Sequence, residues 1–172
     1  MSAPDRFVLD ANAFIEAHQR YYGFDICPGY WTALKRQYEL ARLCSIDKIK
    51  AELLAQKDEL TEWAKLKIPA GFFKQTADQS VIRTYSKLME WVQSEVQYNT
   101  AAKAGFAKAA DGWLVAYAKT NGLTVVTLET ESADAKKTVP IPNLCSQFAV
   151  PCINPFSMLR TLGVRMGLKK RK

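Results

Sequence analysis

The chain has 172 residues, 48% of them apolar and 24% charged, and carries a net charge of +7. Such apolar content excludes a disordered polymer, and the length suits one domain with one sizeable core. No apolar run approaches the roughly 20 residues of a membrane helix, and Met1 to Asp5 lack the features of a signal peptide, so a soluble cytoplasmic protein is expected.

Phe7-Val8-Leu9 reads as a first strand that ends in Asp10, with a short helix from Asn12 to about His18. Residues 19 to 30 read as a loop rich in rings (Tyr21, Tyr22, Phe24, Tyr30), closed by Pro28 and Gly29. A helix is expected from about Trp31 to Arg42, with Trp31, Leu34, Tyr38 and Ala41 close to the helical period. Phe24 and Trp31 sit among apolar neighbours, so these rings are expected to pack into the core rather than to stack bases. Leu43 to Ile46 is a second strand, and Asp47 is placed to cap the helix that carries Ile49, Glu52, Leu53 and Leu54. An acidic helix from Asp58 to Leu66 follows, ended by Pro69-Ala70-Gly71.

Val81, Tyr85, Leu88, Val92 and Val96 recur at helical spacing and predict an amphipathic helix over 78–98. A further helix is expected from Ala107 to Thr120, stopped by Asn121-Gly122. Leu123 to Thr127 is the clearest strand. A polar loop from Glu129 to Lys137, a short helix over Leu144 to Phe148, an edge strand over Val150 to Ile153 and a last helix after Asn154-Pro155 complete the order. Alternating strands and helices imply an α/β fold with a central, mostly parallel sheet of four to five strands and helices on both faces. The domain is expected to span 1–168, with Lys169 to Lys172 as a solvated basic tail.

The four cysteines, Cys27, Cys44, Cys145 and Cys152, form no Cys-x-x-Cys pair, and His18 is the sole histidine. A zinc site is therefore not expected, and the cysteines read as small buried residues of a reduced compartment. Phosphate-binding glycine loops and a G-x-S-x-G elbow are absent from the sequence.

What remains is a set of acids. Ligands of open α/β sheets bind outside the carboxyl ends of the strands. Asp10 ends the first strand, Glu52 is about a turn into the helix after the second, Asp111 lies on the helix before the strongest strand, and Glu129 directly follows that strand. Around Asp111, the small residues Ala107, Ala109, Ala110 and Gly112 leave room for close approach. Two carboxylates about 4 Å apart repel by on the order of 4 kcal/mol at an effective dielectric of 20, so either protons or a cation must neutralise such a cluster. Oxygen-only ligands suit Mg²⁺ or Mn²⁺, which can activate a water for phosphodiester displacement. A basic protein with an acidic cleft has the electrostatic arrangement of a nuclease.

These residues resemble a PIN-domain protein. The resemblance rests on Leu9-Asp10-Ala11-Asn12, on Glu52 in its helix, on Ala110-Asp111-Gly112-Trp113 and on Thr127-Leu128-Glu129, and it spans roughly residues 6 to 155. The segment from Tyr21 to Trp31 is similar to a less-characterised bacterial branch of PIN-like proteins. The resemblance implies a three-layer α/β/α sandwich and a Mg²⁺- or Mn²⁺-dependent endoribonuclease, often a VapC-like toxin. It further implies RNA as substrate, a protein antitoxin bound near the active site and a homodimer. Asp10, Glu52 and Asp111 would hold the metal, Glu129 (where Asp is commoner) would assist, and Asn12 would orient Asp10 or a water. Two alternatives share the fold: an RNA-binding or interaction protein with little catalysis, and a nuclease directed at DNA.

Overall fold

The computed structural model describes residues 5–167; the basic tail expected at 169–172 lies outside them. Five strands form one parallel sheet in the order β3-β2-β1-β4-β5: β1 (Phe7–Leu9), β2 (Leu43–Ile46), β3 (Phe73–Lys74), β4 (Thr124–Val126) and β5 (Cys152–Ile153). The central strand β1 pairs with β2 through Phe7↔Leu43 and with β4 through Leu9↔Val126. All three residues of β1 are buried, as a strand covered on both faces by helices requires. Because every pairing is parallel, all five carboxyl ends lie along one edge of the sheet.

The helices flank this sheet: α1 (Ala11–Glu16), α2 (Pro28–Glu39), α3 (Asp47–Ala55), α4 (Glu59–Leu66), α5 (Gln79–Ser94), α6 (Thr100–Lys108), α7 (Asp111–Asn121), α8 (Ile141–Gln147) and α9 (Pro155–Thr161). The result is a three-layer α/β/α sandwich, as expected from the alternation. Helix α5 packs along α7, with Val81, Leu88 and Val92 facing Leu114 and Val115 in the core.

Several elements differ from the expectation. The helix predicted over 107–120 is two helices, α6 and α7, separated where Ala109 turns to an extended ψ of 164°. Helix α5 stops at Ser94, where Glu95 leaves the helical region, so Val96 is 98% exposed rather than part of the stripe. Asp47 is the first residue of α3 rather than its cap, and its Oδ1 accepts from Lys48 N–H and the Thr76 hydroxyl. The cysteines are free; Cys44 and Cys145 are buried, whereas Cys27 and Cys152 are only half-buried.

The ring-rich segment packs inward. A π-helical turn, Ala17–Tyr21, extends α1, and Tyr30 and Trp31 lie in the first turn of α2. Tyr30 is fully buried, stacks on Tyr22 with centroids 4.5 Å apart, and donates its hydroxyl to the Ala13 carbonyl at 3.0 Å. Trp31 donates its indole N–H to the Tyr22 carbonyl at 2.7 Å and meets Trp63 edge-on at 4.9 Å. Burial of such large rings supplies much of the core on this side of the sheet.

Candidate active site

Asp10 leaves β1 at the carboxyl edge and caps α1, where its Oδ1 accepts from the Ala11 N–H at 2.7 Å. Its Oδ2 accepts from the Thr127 hydroxyl, 2.8 Å away at the end of the neighbouring β4. The carboxyl is only 4% exposed. Thr127 in turn accepts from Asn12 Nδ2 at 3.0 Å and from the Glu129 N–H at 3.1 Å, while Asn12 Oδ1 accepts from the Leu128 N–H. One hydroxyl therefore ties three of the expected site positions together. Asn12 reaches Asp10 through Thr127 and not by a direct bond.

Asp111 opens α7, in the first turn after the break that separates it from α6. The break is joined to α3, because the Ala110 N–H donates to Glu52 Oε1 at 3.3 Å. This contact brings Glu52 near Asp111, whose carboxyl feels the Glu52 charge. Glu129 follows β4 and is exposed; its Oε2 accepts from the Ile141 N–H at 2.7 Å, at the start of α8. Asp111 and Glu129 also line one cleft of about 810 Å³, which runs between α6 and the 129–140 loop past Lys136 and Lys137.

Charge connects the acids through Asp111, which feels Glu129 and Glu52 and is itself felt by Asp10. Burial, the Asp111 charge and the Glu129 charge push the Asp10 carboxyl up to about 7, against the opposing hydrogen bonds from Thr127 and Ala11. Burial, then Glu129 and Glu52, push Asp111 up to about 7 as well. Burial raises Glu52, partly offset by its bond from Ala110. Two carboxyls poised near neutral pH beside further acids are characteristic of a reaction or cation site.

Gly112, next to Asp111, has a packing role. A Cβ there would come within 2.9 Å of Tyr85 Cε2 and 3.1 Å of the Phe106 ring, so the small residues around Asp111 admit aromatic side chains. His18 lies elsewhere, against Phe24 at 5.0 Å and Trp31 at 6.5 Å.

A family model matches residues 7–166, from β1 to beyond α9. The chain belongs to that family, described as Domain of unknown function (DUF4411). No curated protein matches it. Among solved structures, FitAcB from Neisseria gonorrhoeae is similar, with a TM-score of 0.55 and 21% identity over 87% of this chain and 98% of the other. The likeness shows a PIN-like fold, in agreement with the sheet order and helical layers.

In this DUF4411 chain the donor set suits a hard divalent cation: carboxylate oxygens, two of them partly dry and mutually repelling, with no thiolate or imidazole among them. Among the described residues, no three His, Cys, Asp or Glu side chains stand close enough together to enclose an ion as they are. Glu52 and Glu129 each hold one oxygen on a backbone N–H, which leaves Glu52 Oε2 and Glu129 Oε1 as the further donors. Thr127 is the site residue the sequence concealed; its signal was the Thr-x-Glu pattern at a strand end.

Also among the described residues, no helix is long and apolar enough to cross a membrane.

Proposed function

We propose that this protein is a divalent-cation-dependent endoribonuclease that acts as the toxin of a bacterial toxin–antitoxin pair. The observation that carries the reading is the gathering of acids at the carboxyl edge of a PIN-like sheet: Asp10 is bonded to Thr127 and feels Asp111 and Glu129, and Asp111 feels Glu129 and Glu52. The similarity to FitAcB supports the fold on which this chemistry would sit.

Asp10, Glu52 and Asp111 would hold Mg²⁺ or Mn²⁺, with Glu129 assisting. When bound, the cation would supply an activated water and charge stabilisation at the phosphate. The protein side of the mechanism follows from the hydrogen bonds. Thr127 and the Ala11 N–H fix both oxygens of Asp10, and Asn12 fixes Thr127 by donating to its hydroxyl. Asp10 and Asp111, each pushed up to about 7 without a cation, would give up their protons as the cation binds, which makes binding pH-dependent. Lys136 and Lys137 in the cleft offer positive charge to the phosphates of an extended strand. An antitoxin covering this cleft would inhibit the enzyme, and a homodimer is the proposed assembly.

The test is cleavage of labelled single-stranded RNA and DNA with Mg²⁺, Mn²⁺ or EDTA, by the wild type, Asp10→Asn and Asp111→Asn. The reading expects RNA cleavage by the wild type alone, abolished by EDTA. Cleavage that persists in EDTA or in both variants overturns it. RNA binding without cleavage under any cation would favour a binding module instead, and cut DNA with intact RNA a DNA-directed nuclease.

A further inference from the structure

Trp113 lies two residues past Asp111, in the first turn of α7. Its indole stacks on Tyr85 of α5, with ring centroids 3.8 Å apart and planes within 7° of parallel. Elsewhere along the α5–α7 seam the packed residues are buried: Val81, Leu88, Leu114 and Val115 are at most 2% exposed. Trp113 and Tyr85 are only half-buried, so this pair forms an open edge of the seam. Tyr85 is held in place from behind, because its ring edge presses on Gly112 where no Cβ could fit. The stack is therefore an aromatic surface that reaches solvent at the start of α7, the helix that Asp111 opens.

The exposed Lys48 completes it. Its Nζ lies over the Trp113 ring, 5.5 Å from the centroid. Tyr85 covers one face of the indole at stacking distance, which leaves Lys48 the other. Lys48 and Glu52 are four residues apart on α3 and share one face of that helix. That face thus supplies both the carboxylate at Ala110 and the ammonium over Trp113. An exposed cation–π contact is weak and readily exchanged, whereas a stacked nucleobase gains more from the same ring.

We propose that Trp113, backed by Tyr85 and flanked by Lys48, is a subsite for an unpaired nucleobase of single-stranded RNA. The base stacks on the indole face that Lys48 now covers, and Lys48 moves onto the adjoining phosphate. This inference rests on the ribonuclease reading and names where that site grips its substrate. A base within a duplex is already stacked on its neighbours, so the subsite selects single strands or loops.

The test is fluorescence anisotropy of a labelled single-stranded oligoribonucleotide in EDTA, so that binding is read without turnover. Trp113→Leu is expected to weaken binding by about 5- to 100-fold, and Trp113→Phe by no more than about threefold. Lys48→Gln is expected to lower the slope of log affinity against log salt by about 0.7. An abasic oligomer of equal length should bind the wild type weakly and be indifferent to Trp113→Leu. Should Trp113→Leu fail to fold by circular dichroism, photo-crosslinking of 4-thiouridine RNA to the wild type decides, with the adduct expected on Trp113 or Tyr85. Wild-type affinity in folded Trp113→Leu, an equal loss for abasic RNA, or adducts only elsewhere overturns the subsite. Base-dependent binding through Trp113 without cleavage under any cation keeps the subsite and overturns the nuclease reading. Cleavage with no dependence of binding on Trp113 does the reverse.

Discussion

Asp10→Asn should stabilise the protein at pH 8 in the absence of divalent cations. Asp10 titrates at about 7 in the folded chain, because burial and the Asp111 and Glu129 charges oppose its ionisation. In the unfolded chain it titrates near the ordinary carboxylate value of about 4. Below pH 4 both states are protonated and nothing is lost. Between pH 4 and 7 the unfolded chain gives up the proton first, so stability falls as pH rises and levels off above 7. At about 1.4 kcal/mol per pH unit of displacement, the ionised side chain costs the fold on the order of 4 kcal/mol at pH 8. Asparagine removes that cost and keeps the Ala11 N–H bond. Its amide, however, then meets a Thr127 oxygen that already accepts from Asn12 and Glu129, a conflict worth about 1–3 kcal/mol. The net gain is roughly 2 kcal/mol, or about 4–8 °C in melting temperature for a chain of this size. Thermal melts in EDTA at pH 5 and pH 8 read it: the variant gains on the wild type only at the higher pH. An equal difference at both pH values would refute a buried, charge-crowded Asp10.

Gly112→Ala should lower stability by about 1–3 kcal/mol, since its methyl would collide with Tyr85 and Phe106; chemical denaturation measures it, and an unchanged midpoint contradicts the close packing. Thr127→Val removes the donor that holds Asp10 ionised, so the Asp10 titration seen by NMR should move further upward, whereas Thr127→Ser should leave it in place. The same Thr127→Val change strands the Asn12 amide and the Glu129 N–H, at a cost of about 1–3 kcal/mol in stability.

The sheet and Asp10 were legible because a short apolar run followed at once by a helical pattern reads as a buried parallel strand, and Asp10 stands at its carboxyl end. The break before Asp111 was not. Ala109 and Ala110 favour helix, and the one local sign of a break is the Asp111-Gly112 pair that follows them; the Ala110 N–H is drawn to Glu52, 58 residues away in the chain. Strand β3 was missed for a related reason: two residues carry no period, and Phe73–Lys74 is a strand only because it pairs with Ser45 and Ile46. The packing of the rings from Tyr22 to Trp31 was foreseeable from their apolar neighbours. The linking role of Thr127 was not, because a strand-end threonine looks the same in sequence whether or not two neighbouring residues donate to it. Glu129 kept its expected place at a strand end, although its exposure and its bond to Ile141 N–H set it apart from the drier Asp10 and Asp111.

The account rests on Asp10, Glu52, Asp111 and Glu129 forming one cation site, and calorimetric titration of Mn²⁺ at pH 6.5 tests this most directly. Because burial and neighbouring acids hold the Asp10 and Asp111 carboxyls up to about 7, binding should release protons, read by repeating the titration in two buffers of different ionisation enthalpy. Asp10→Asn and Asp111→Asn should each weaken binding at least tenfold and reduce the proton release. Mn²⁺ binding that is unchanged in both variants, or that releases no protons, would contradict a shared site.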